Sequence, residues 1–405
     1  MVDFRRLEDV NVTGKRVLVR VDFNVPITED GQVADDTRLR TYVPTITYLR
    51  GQGAKVILVT HFGRPGGKIV PQMSVKRLVR PLSALLGTDV GFAPDCIGPE
   101  AAGAIAKLSD GDVLLLENTR FHKGETHAPD GAKGFDPAFA RALAAHADVF
   151  VFDAFSVAHR AQGSTVGVGE ILPAIAGLAL ERELDHLSQA LEHPRRPVMA
   201  LVGGAKVSTK IDLLKNLVGR LDMLAIGGGM ANTFLAALGH HVGASLCEHD
   251  LTDTALKIMD NAKKAGCRII LPVDVVVAKD FKANAAHRVC GLDEVQTDEM
   301  ILDAGPKTVN ALADDIDACK TLIWNGPLGA FELVPFDTAT VEAARYAAGR
   351  VKNAGLIAVA GGGDTVAALK HAGVADDFTF ISTAGGAFLE WMEGKPLPGV
   401  EMLKA

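Results

Sequence analysis

Short apolar, largely β-branched runs recur along the chain. They are Val17–Val21, Val56–Val59, Val113–Leu116 and Val149–Phe152, then Val198–Val202, Met223–Ile226, Ile269–Val273, Thr321–Trp324, Leu356–Ala360 and Phe378–Ile381. Their lack of polar alternation suits parallel strands covered on both faces. Helical patterns lie between many of them, and strand–helix alternation of this kind predicts open α/β sheets. Ten strands in one sheet would be unusual, so the pattern predicts two domains. Between 177 and 197, Leu180, Leu184, Leu187 and Leu191 fall at helical spacing, and Pro194 and Pro197 then stop the helix. This reads as a helical connector joining a domain of residues 1–176 to one of residues 198–382.

Ligands of open α/β sheets bind beyond the carboxyl ends of the strands. After the first-half runs come Asp22-Phe-Asn24, His61-Phe-Gly-Arg64, Glu117-Asn-Thr-Arg120 and Asp153 with His159-Arg160. After the second-half runs come Gly203-Gly-Ala-Lys206, Gly227-Gly-Gly229, Asn325-Gly-Pro-Leu-Gly329 and Gly361-Gly-Gly-Asp-Thr365. One half is rich in Arg and His at this location, the other in Gly.

Glycines at strand–helix turns let backbone N–H groups approach phosphates, and the helix N-terminus adds a favourable dipole. Three such turns point to a nucleotide site. Asp364 suits a hydrated Mg²⁺, and the four-residue spacing of Lys206 and Lys210 predicts that a helical turn aims both the same way. The chain has no G-x-x-x-x-G-K-[ST], no third spaced Gly or Ala of the dinucleotide fingerprint, and neither H-E-x-x-H nor G-x-S-x-G. P-loop, dehydrogenase, zinc-peptidase and α/β-hydrolase readings therefore lose their main support. On the Arg-rich side, Arg64, Arg120, Arg160, His61 and Asn24 lie at or just beyond strand ends, with Arg38 in the loop that follows the first. Convergent guanidinium groups bind a small, multiply charged anion. Arg40, Arg50, Arg77 and Arg80 read as helix-surface charges.

Charge sharpens this contrast. The 405 residues carry 42 Lys+Arg and 49 Asp+Glu, a formal net charge of −7. An acidic chain is not expected to bind nucleic acid or an anionic membrane through general electrostatics. Residues 1–172 hold 20 basic and 20 acidic groups, leaving 22 and 29 for the rest, so the whole surplus lies in the second half. The five cysteines form no C-x-x-C pair. No run approaches the ~18 apolar residues of a membrane span. A reducing, cytoplasmic setting is the expectation.

Taken together these residues resemble the phosphoglycerate kinase family over essentially the full length. The resemblance rests on Arg20-Val-Asp-Phe-Asn-Val-Pro26, Asp36-Thr-Arg38, His61-Phe-Gly-Arg-Pro65, Leu116-Glu-Asn-Thr-Arg-Phe121 and Asp153-Ala-Phe with Ala158-His-Arg160. It continues through Gly203-Gly-Ala-Lys-Val-Ser-Thr-Lys210, Trp324-Asn-Gly-Pro-Leu-Gly-Ala-Phe-Glu332, Gly361-Gly-Gly-Asp-Thr365 and Ser382-Thr-Ala-Gly-Gly-Ala387, in the family's order. It implies two Rossmann-like domains with parallel-sheet cores facing a cleft, joined by a helical hinge, with residues 383–405 returning to the first domain. The implied reaction is 1,3-bisphosphoglycerate + MgADP ⇌ 3-phosphoglycerate + MgATP, with hinge-bending closure.

By motif, Asp22 and Asn24 would hold the glycerate end, and His61, Arg64, Arg120 and Arg160 the acid and its stable phosphate. Arg38 and Lys206 would face the transferring phosphoryl group, with Gly362 and Gly386 beside them as catalytic backbone. Lys210, Asn325, Gly361, Gly362, Gly363 and Thr365 would hold nucleotide phosphates, with Asp364 toward Mg²⁺. Glu332 would contact the ribose, and Gly204 and Gly228 would line the adenine side. ADP/ATP and Mg²⁺ are thus the implied co-substrate and metal, and a monomer the implied assembly. An unrelated nucleotide-dependent α/β kinase and a non-catalytic scaffold of this fold are the alternatives. Three positions depart from the family pattern: Phe62 for Leu, Ser156-Val157 for a Gly-Thr-like pair, and Ala384 for the first of three glycines.

Overall fold

The computed structural model describes residues 4–404. The chain forms two compact units, one running to Asp185 and resuming at Pro396, the other spanning His186–Lys395. The first unit is built on β1 (Arg16–Arg20), β2 (Lys55–Val59), β3 (Val90–Ala93), β4 (Val113–Leu116), β5 (Val149–Phe152) and β6 (Ala174–Ala176). These form one sheet in the order β3-β4-β2-β1-β5-β6, parallel throughout. Helices cover both faces, so the strand interiors are buried; Val17, Val19, Val56, Leu58, Leu115 and Val151 anchor the core.

The second unit contains β7 (Val198–Val202), β8 (Met223–Ile226), β9 (Arg268–Ile270), β10 (Asp274–Ala278), β11 (His287–Gly291), β12 (Met300–Ala304), β13 (Thr321–Asn325), β14 (Ile357–Gly361) and β15 (Phe380–Ser382). Six of them form a sheet in the order β15-β14-β13-β7-β8-β9, again parallel. In each sheet the chain first winds outward from its initial strand and then returns to that strand's other side. The topological switch therefore falls between β1 and β5 in one unit and between β7 and β13 in the other, where open α/β sheets place ligands.

The run expected as a strand at Ile269–Val273 ends at Ile270, where Leu271 and Pro272 leave the ladder, and a separate antiparallel sheet follows in the order β11-β10-β12. Strands β3, β6, β10, β11 and β12 were not expected from the runs. Two of them are short, and β11 is half polar (His287-Arg-Val-Cys-Gly291).

The connector region forms a helix over Leu178–Leu187 followed by one wider turn over Ser188–Glu192. Leu180, Leu184, Leu187 and Leu191 are all buried. The division between units falls within this segment, after Asp185, instead of on either side of it. The chain also re-enters the first unit at Pro396, not at 383. The reason is packing: the helix Gly385–Met392 stays on the second unit, with Phe388 filling the space that a side chain at Gly361 would need.

Asp153, directly after β5, closes the start of the connector helix: Leu180 N–H donates to its Oδ1 at 2.9 Å. The carboxyl is buried, and burial pushes its pKa up to about 7, against hydrogen bonds from Thr45, Leu180 and Ala179 that favour the anion. Between about pH 4 and pH 7 the unfolded chain ionises this group while the native chain retains its proton. Its contribution to stability is therefore full below about pH 4 and is lost as pH rises through 7. Asp153→Asn keeps the acceptor and removes the titration. The unfolding free energy of the wild type, from urea melts, is expected to fall between pH 5 and pH 8 by roughly 3 kcal/mol more than that of the variant. Parallel pH profiles would disprove a buried neutral carboxyl here.

Candidate functional site

In the first unit the site grows from strand ends on both sides of the β1/β5 switch. Arg20, the last residue of β1, is buried, and burial lowers its pKa. Its Nε donates to Ser164 Oγ at 2.8 Å, Nη1 donates to Val21 O, and Nη2 lies 3.0 Å from His61 Nδ1. A guanidinium only donates, so Nδ1 of His61 accepts and the neutral ring carries its proton on Nε2. Burial, reinforced by the charge of Arg20, holds His61 well below its usual pKa, with Arg120 and Arg160 adding to the effect and Asp22 opposing it. Behind Arg20, buried Glu125 accepts from Ser164 N at 2.8 Å and from Ser164 Oγ at 2.6 Å.

Asp22 is the site's ionised carboxylate. Burial opposes its charge, but the facing Arg38 guanidinium, with hydrogen bonds from Ser156 Oγ and Asn24 N–H, favours the anion and lowers its pKa. The bonds measure 3.0 Å from Arg38 Nη1, 2.5 Å from Ser156 Oγ and 3.0 Å from Asn24 N. Arg38 also donates to Asn24 O at 3.1 Å, and Asn24 Oδ1 accepts from Gly63 N at 2.9 Å. Arg38 was expected in a loop. It lies in the first turn of the helix Thr37–Gly51, which aims it back at the end of β1.

Arg120, in the short 3₁₀ turn after β4, is buried; its Nη1 donates to Gly63 O at 2.8 Å, while its Nε has no partner among the described residues. Burial, then the charges of Arg20 and Arg160, lower its pKa to about 10. Arg160 is exposed and donates to His159 Nε2 at 3.0 Å. Arg64 is exposed, with no hydrogen bond or ion pair among the described residues. Arg20, Arg38, Arg120 and Arg160 thus act on the Asp22–His61 pair, whereas Asp22 and Glu125 are the carboxylates among them. A surplus of guanidinium groups, one with a buried unpartnered N–H, suits a compact anion.

In the second unit the glycine turns after β7, β8 and β13 press against one another. Gly228 has φ +66°, and a Cβ there would sit 2.7 Å from Gly204 O; its N–H donates to Leu328 O at 2.8 Å. Gly362 has φ +100° and lies against the Asn325 amide. Asn325 Nδ2 donates to Gly361 O at 2.8 Å, and Thr365 Oγ1 accepts from Gly326 N at 2.7 Å. In this state both side chains brace the turns. Gly363 begins the helix Gly363–His371, and Gly386 lies in the first turn of Gly385–Met392, which approaches the Gly362–Gly363 backbone.

Lys206 and Lys210 do not share a helical face as their spacing suggested. They flank a 3₁₀ turn at Val207–Thr209, and the α-helix begins only at Ile211. Lys206 is exposed. Lys210 Nζ donates to Gly203 O at 2.6 Å, Asn325 O at 3.0 Å and Asn325 Oδ1 at 2.6 Å. Burial lowers the Lys210 pKa to about 8, with the Asp364 charge opposing.

A cavity of about 330 Å³ opens beside these turns, lined by Gly204, Gly228, Leu302, Leu328, Glu332 and Asp364 among others. Its walls are mostly apolar, with few polar groups, as in nucleoside and cofactor sites. One wall, Met300–Ala304, comes from β12, which the sequence runs did not reveal. Asp364 is exposed at the cavity rim and makes no side-chain hydrogen bond or ion pair among the described residues. A single available carboxylate fits Mg²⁺, which takes one or two carboxylates and completes its shell with water and phosphate oxygens.

Sequence reasoning passed over Arg20, Glu125, Ser164 and Ser156. Ser156 was noticed only as a departure, yet its hydroxyl holds Asp22. The other departures are accommodated: Phe62 packs in the core, and Ala384 has φ −96°, open to any residue.

The chain matches a family model described as "Phosphoglycerate kinase" over residues 7–395. It is 59% identical over 402 residues to a phosphoglycerate kinase of Sinorhizobium medicae, with 99% of each chain covered. It is 60% identical over 406 residues to one of Methylobacterium radiotolerans, with 100% of each covered. Among solved structures it is similar to phosphoglycerate kinase from Coxiella burnetii, with a TM-score of 0.91, 39% identity and 99% of each chain covered. The enzyme from Pyrococcus horikoshii OT3 gives a TM-score of 0.79 at 31% identity over 98% of each.

The unpartnered Arg120 Nε–H yields a direct test. Arg120→Lys keeps a positive charge but lacks the planar second donor. It should weaken binding of inorganic phosphate or sulfate by roughly 10- to 100-fold, the value of one charge-assisted hydrogen bond, in a calorimetric titration. Unchanged affinity would remove Arg120 from the anion site.

Proposed function

The chain belongs to the phosphoglycerate kinase family, and on that premise we propose how its two units divide the reaction. It is a phosphotransferase with a carboxyl acceptor: 1,3-bisphosphoglycerate and MgADP are converted reversibly to 3-phosphoglycerate and MgATP, a step of glycolysis. The unit carrying β1–β6 takes the acid, and the unit carrying β7–β15 takes the nucleotide. The observation that carries this reading is the family match across both units with every charged residue of the motifs present.

Arg64, Arg120, Arg160 and His61 bind the stable 3-phosphate; neutral His61 offers Nε2–H as a donor and takes no proton. Asp22 and Asn24 orient the glycerate hydroxyl and carboxyl end. Arg38 contacts the acyl phosphate and the phosphoryl group in transfer. Lys206, exposed and without an ion pair among the described residues, comes to the same group from the nucleotide side. Lys210, with Asn325 and the Gly361–Thr365 turn, orders the backbone that meets the nucleotide phosphates. The backbone at Gly362 and Gly386 supplies N–H donors there. Gly204 and Gly228 form the floor for the base, and Glu332 meets the ribose. Asp364 holds Mg²⁺, which supplies positive charge to nucleotide phosphate oxygens when bound.

Phosphoryl transfer depends on alignment and on neutralising charge on the transferring oxygens. No general base is required, because the attacking ADP oxygen is already deprotonated. Acid and nucleotide bind to different units, so transfer requires the two to meet. We assign that step to bending at the connector segment, which also keeps water from the acyl phosphate. A cytoplasmic monomer is the setting that the glycolytic role and the free cysteines fit.

A coupled assay with 3-phosphoglycerate and MgATP tests the activity itself; absence of turnover would reject the reading. Arg38→Ala should cut kcat by roughly 10²–10³, the range for losing one strong transition-state donor, with nucleotide affinity nearly intact. Wild-type turnover would remove Arg38 from the mechanism. Lys206→Ala should lower kcat more than it raises the KM for 3-phosphoglycerate. A pure KM effect would place this lysine in ground-state binding.

A further inference from the structure

We propose that Asp95, Cys96 and His122 form a binding site for a thiophilic divalent metal ion of the zinc class. The site lies in the first unit, where the turn after β3 meets the segment after β4. One oxygen, one sulfur and one ring nitrogen converge, all within 4.8 Å of one another. Zinc takes this donor set at bond lengths of about 2.0–2.3 Å, which puts tetrahedral ligands roughly 3.3–3.8 Å apart. Side-chain adjustments on the order of an ångström, with His122 Nε2 and Asp95 Oδ1 moving apart from 2.6 Å, therefore seat the three groups around an ion.

Two of the three groups are held from behind. Asp95 Oδ1 accepts from Cys96 N at 2.6 Å and Ile97 N at 3.3 Å, fixing the carboxylate at the entry to the helix Gly98–Ile105. The His122 ring packs on Phe139 with centroids 5.4 Å apart. His122 Nε2 lies 2.6 Å from Asp95 Oδ1, so the ring proton now occupies the line that an ion would take. The Cys96 thiol is buried and makes no side-chain hydrogen bond among the described residues. Burial pushes its pKa up, and the charges of Asp95, Glu125 and Glu117 add to this. The carboxylates that oppose a bare thiolate favour a cation beside it. The His122 and Asp95 side chains are 30% and 37% exposed, which gives the ion an entry and water a fourth position. Binding releases the thiol proton to solvent and moves the imidazole proton from Nε2 to Nδ1, leaving a thiolate, a carboxylate and a neutral ring around the ion.

His122 stands two residues after Arg120, whose Nη1 holds Gly63 O. An ion at His122 therefore ties the Asp95–Ile97 turn to the segment that carries the buried arginine.

Metal-stripped full-length protein is titrated with Co²⁺ and, separately, with Zn²⁺ against a chromophoric chelator. One Co²⁺ per chain should produce a thiolate-to-cobalt charge-transfer band, absent in Cys96→Ser. Zn²⁺ affinity should fall at least about tenfold in Cys96→Ser, His122→Gln and Asp95→Asn. Cys247→Ser should leave both signals intact, although Cys247 Sγ lies 3.7 Å from His249 Nδ1 and is the competing thiol–imidazole pair. Circular dichroism identifies any variant that does not fold, and Asp95→Asn provides the mildest substitution. No cobalt band in the wild type overturns the proposal, as does a band that survives Cys96→Ser or vanishes in Cys247→Ser.

Discussion

A guanidinium sealed from solvent governs the first unit. Burying the Arg20 charge carries a large desolvation cost, and only a matched set of acceptors and a nearby carboxylate offsets it. Ser164 Oγ, Val21 O and His61 Nδ1 provide the acceptors, and Glu125 provides the countercharge. The consequences spread outward. Because Arg20 can only donate, it fixes the His61 tautomer and leaves Nε2–H available. Ser164 links Arg20 to Glu125, and the same carboxylate accepts, at 3.3 Å, from the Thr119 hydroxyl beside Arg120. One side chain on β1 therefore sets the positions of the segments after β2, after β4 and beyond β5. Removing it would leave Glu125 as a buried carboxylate without its cation, which is more disruptive than the loss of a surface charge.

The glycine turns of the second unit are ordered by another route. Their ordering comes from backbone contact: a Cβ on Gly203 would lie 1.8 Å from Pro327 O, and one on Gly326 would lie 2.1 Å from Gly203 O. The turns after β7 and β13 interlock across the switch point only because neither carries a side chain there. Lys210 then bridges the same two turns through Gly203 O and Asn325. Backbone dipoles held this closely are fixed in advance of any ligand.

These two solutions differ in how far the sequence disclosed them. The central strands were plain because buried parallel strands are written as local apolar runs. The glycine turns and the exposed or half-buried Arg38, Arg64 and Arg160 were found by looking just past those runs. Arg20 escaped because it sits inside a run, and its partners Glu125 and Ser164 lie more than 100 residues away; no local pattern records that contact. The antiparallel sheet escaped for a different reason. Polar residues interrupt β11, whereas β10 and β12 carry only the short apolar runs Val275–Val277 and Met300–Leu302, each bounded by an aspartate, so the wall along the cavity was legible in part but was not assigned. The pairing of Lys206 and Lys210 failed because residue spacing implies a common face only inside an α-helix, and a tighter 3₁₀ turn intervenes.

Net charge gives the same lesson in electrostatic form. The surplus acidity of the second half would repel anionic substrates if it acted as one uniform field. Exposed pairs such as Lys264–Asp260 and Lys279–Asp298 cancel locally, so only the unpaired acids contribute to a field at distance. Salt screens what remains within about 8 Å. In the first unit, by contrast, Arg120 is under the repulsive influence of Arg20 and Arg160 and is partly shielded from solvent. A phosphate placed there relieves repulsion already present in the fold, so the gain on binding includes interactions among the arginines themselves. A compact, multiply charged anion is therefore the ligand chemistry that this cluster of arginines favours, whatever the sign of the chain's total charge.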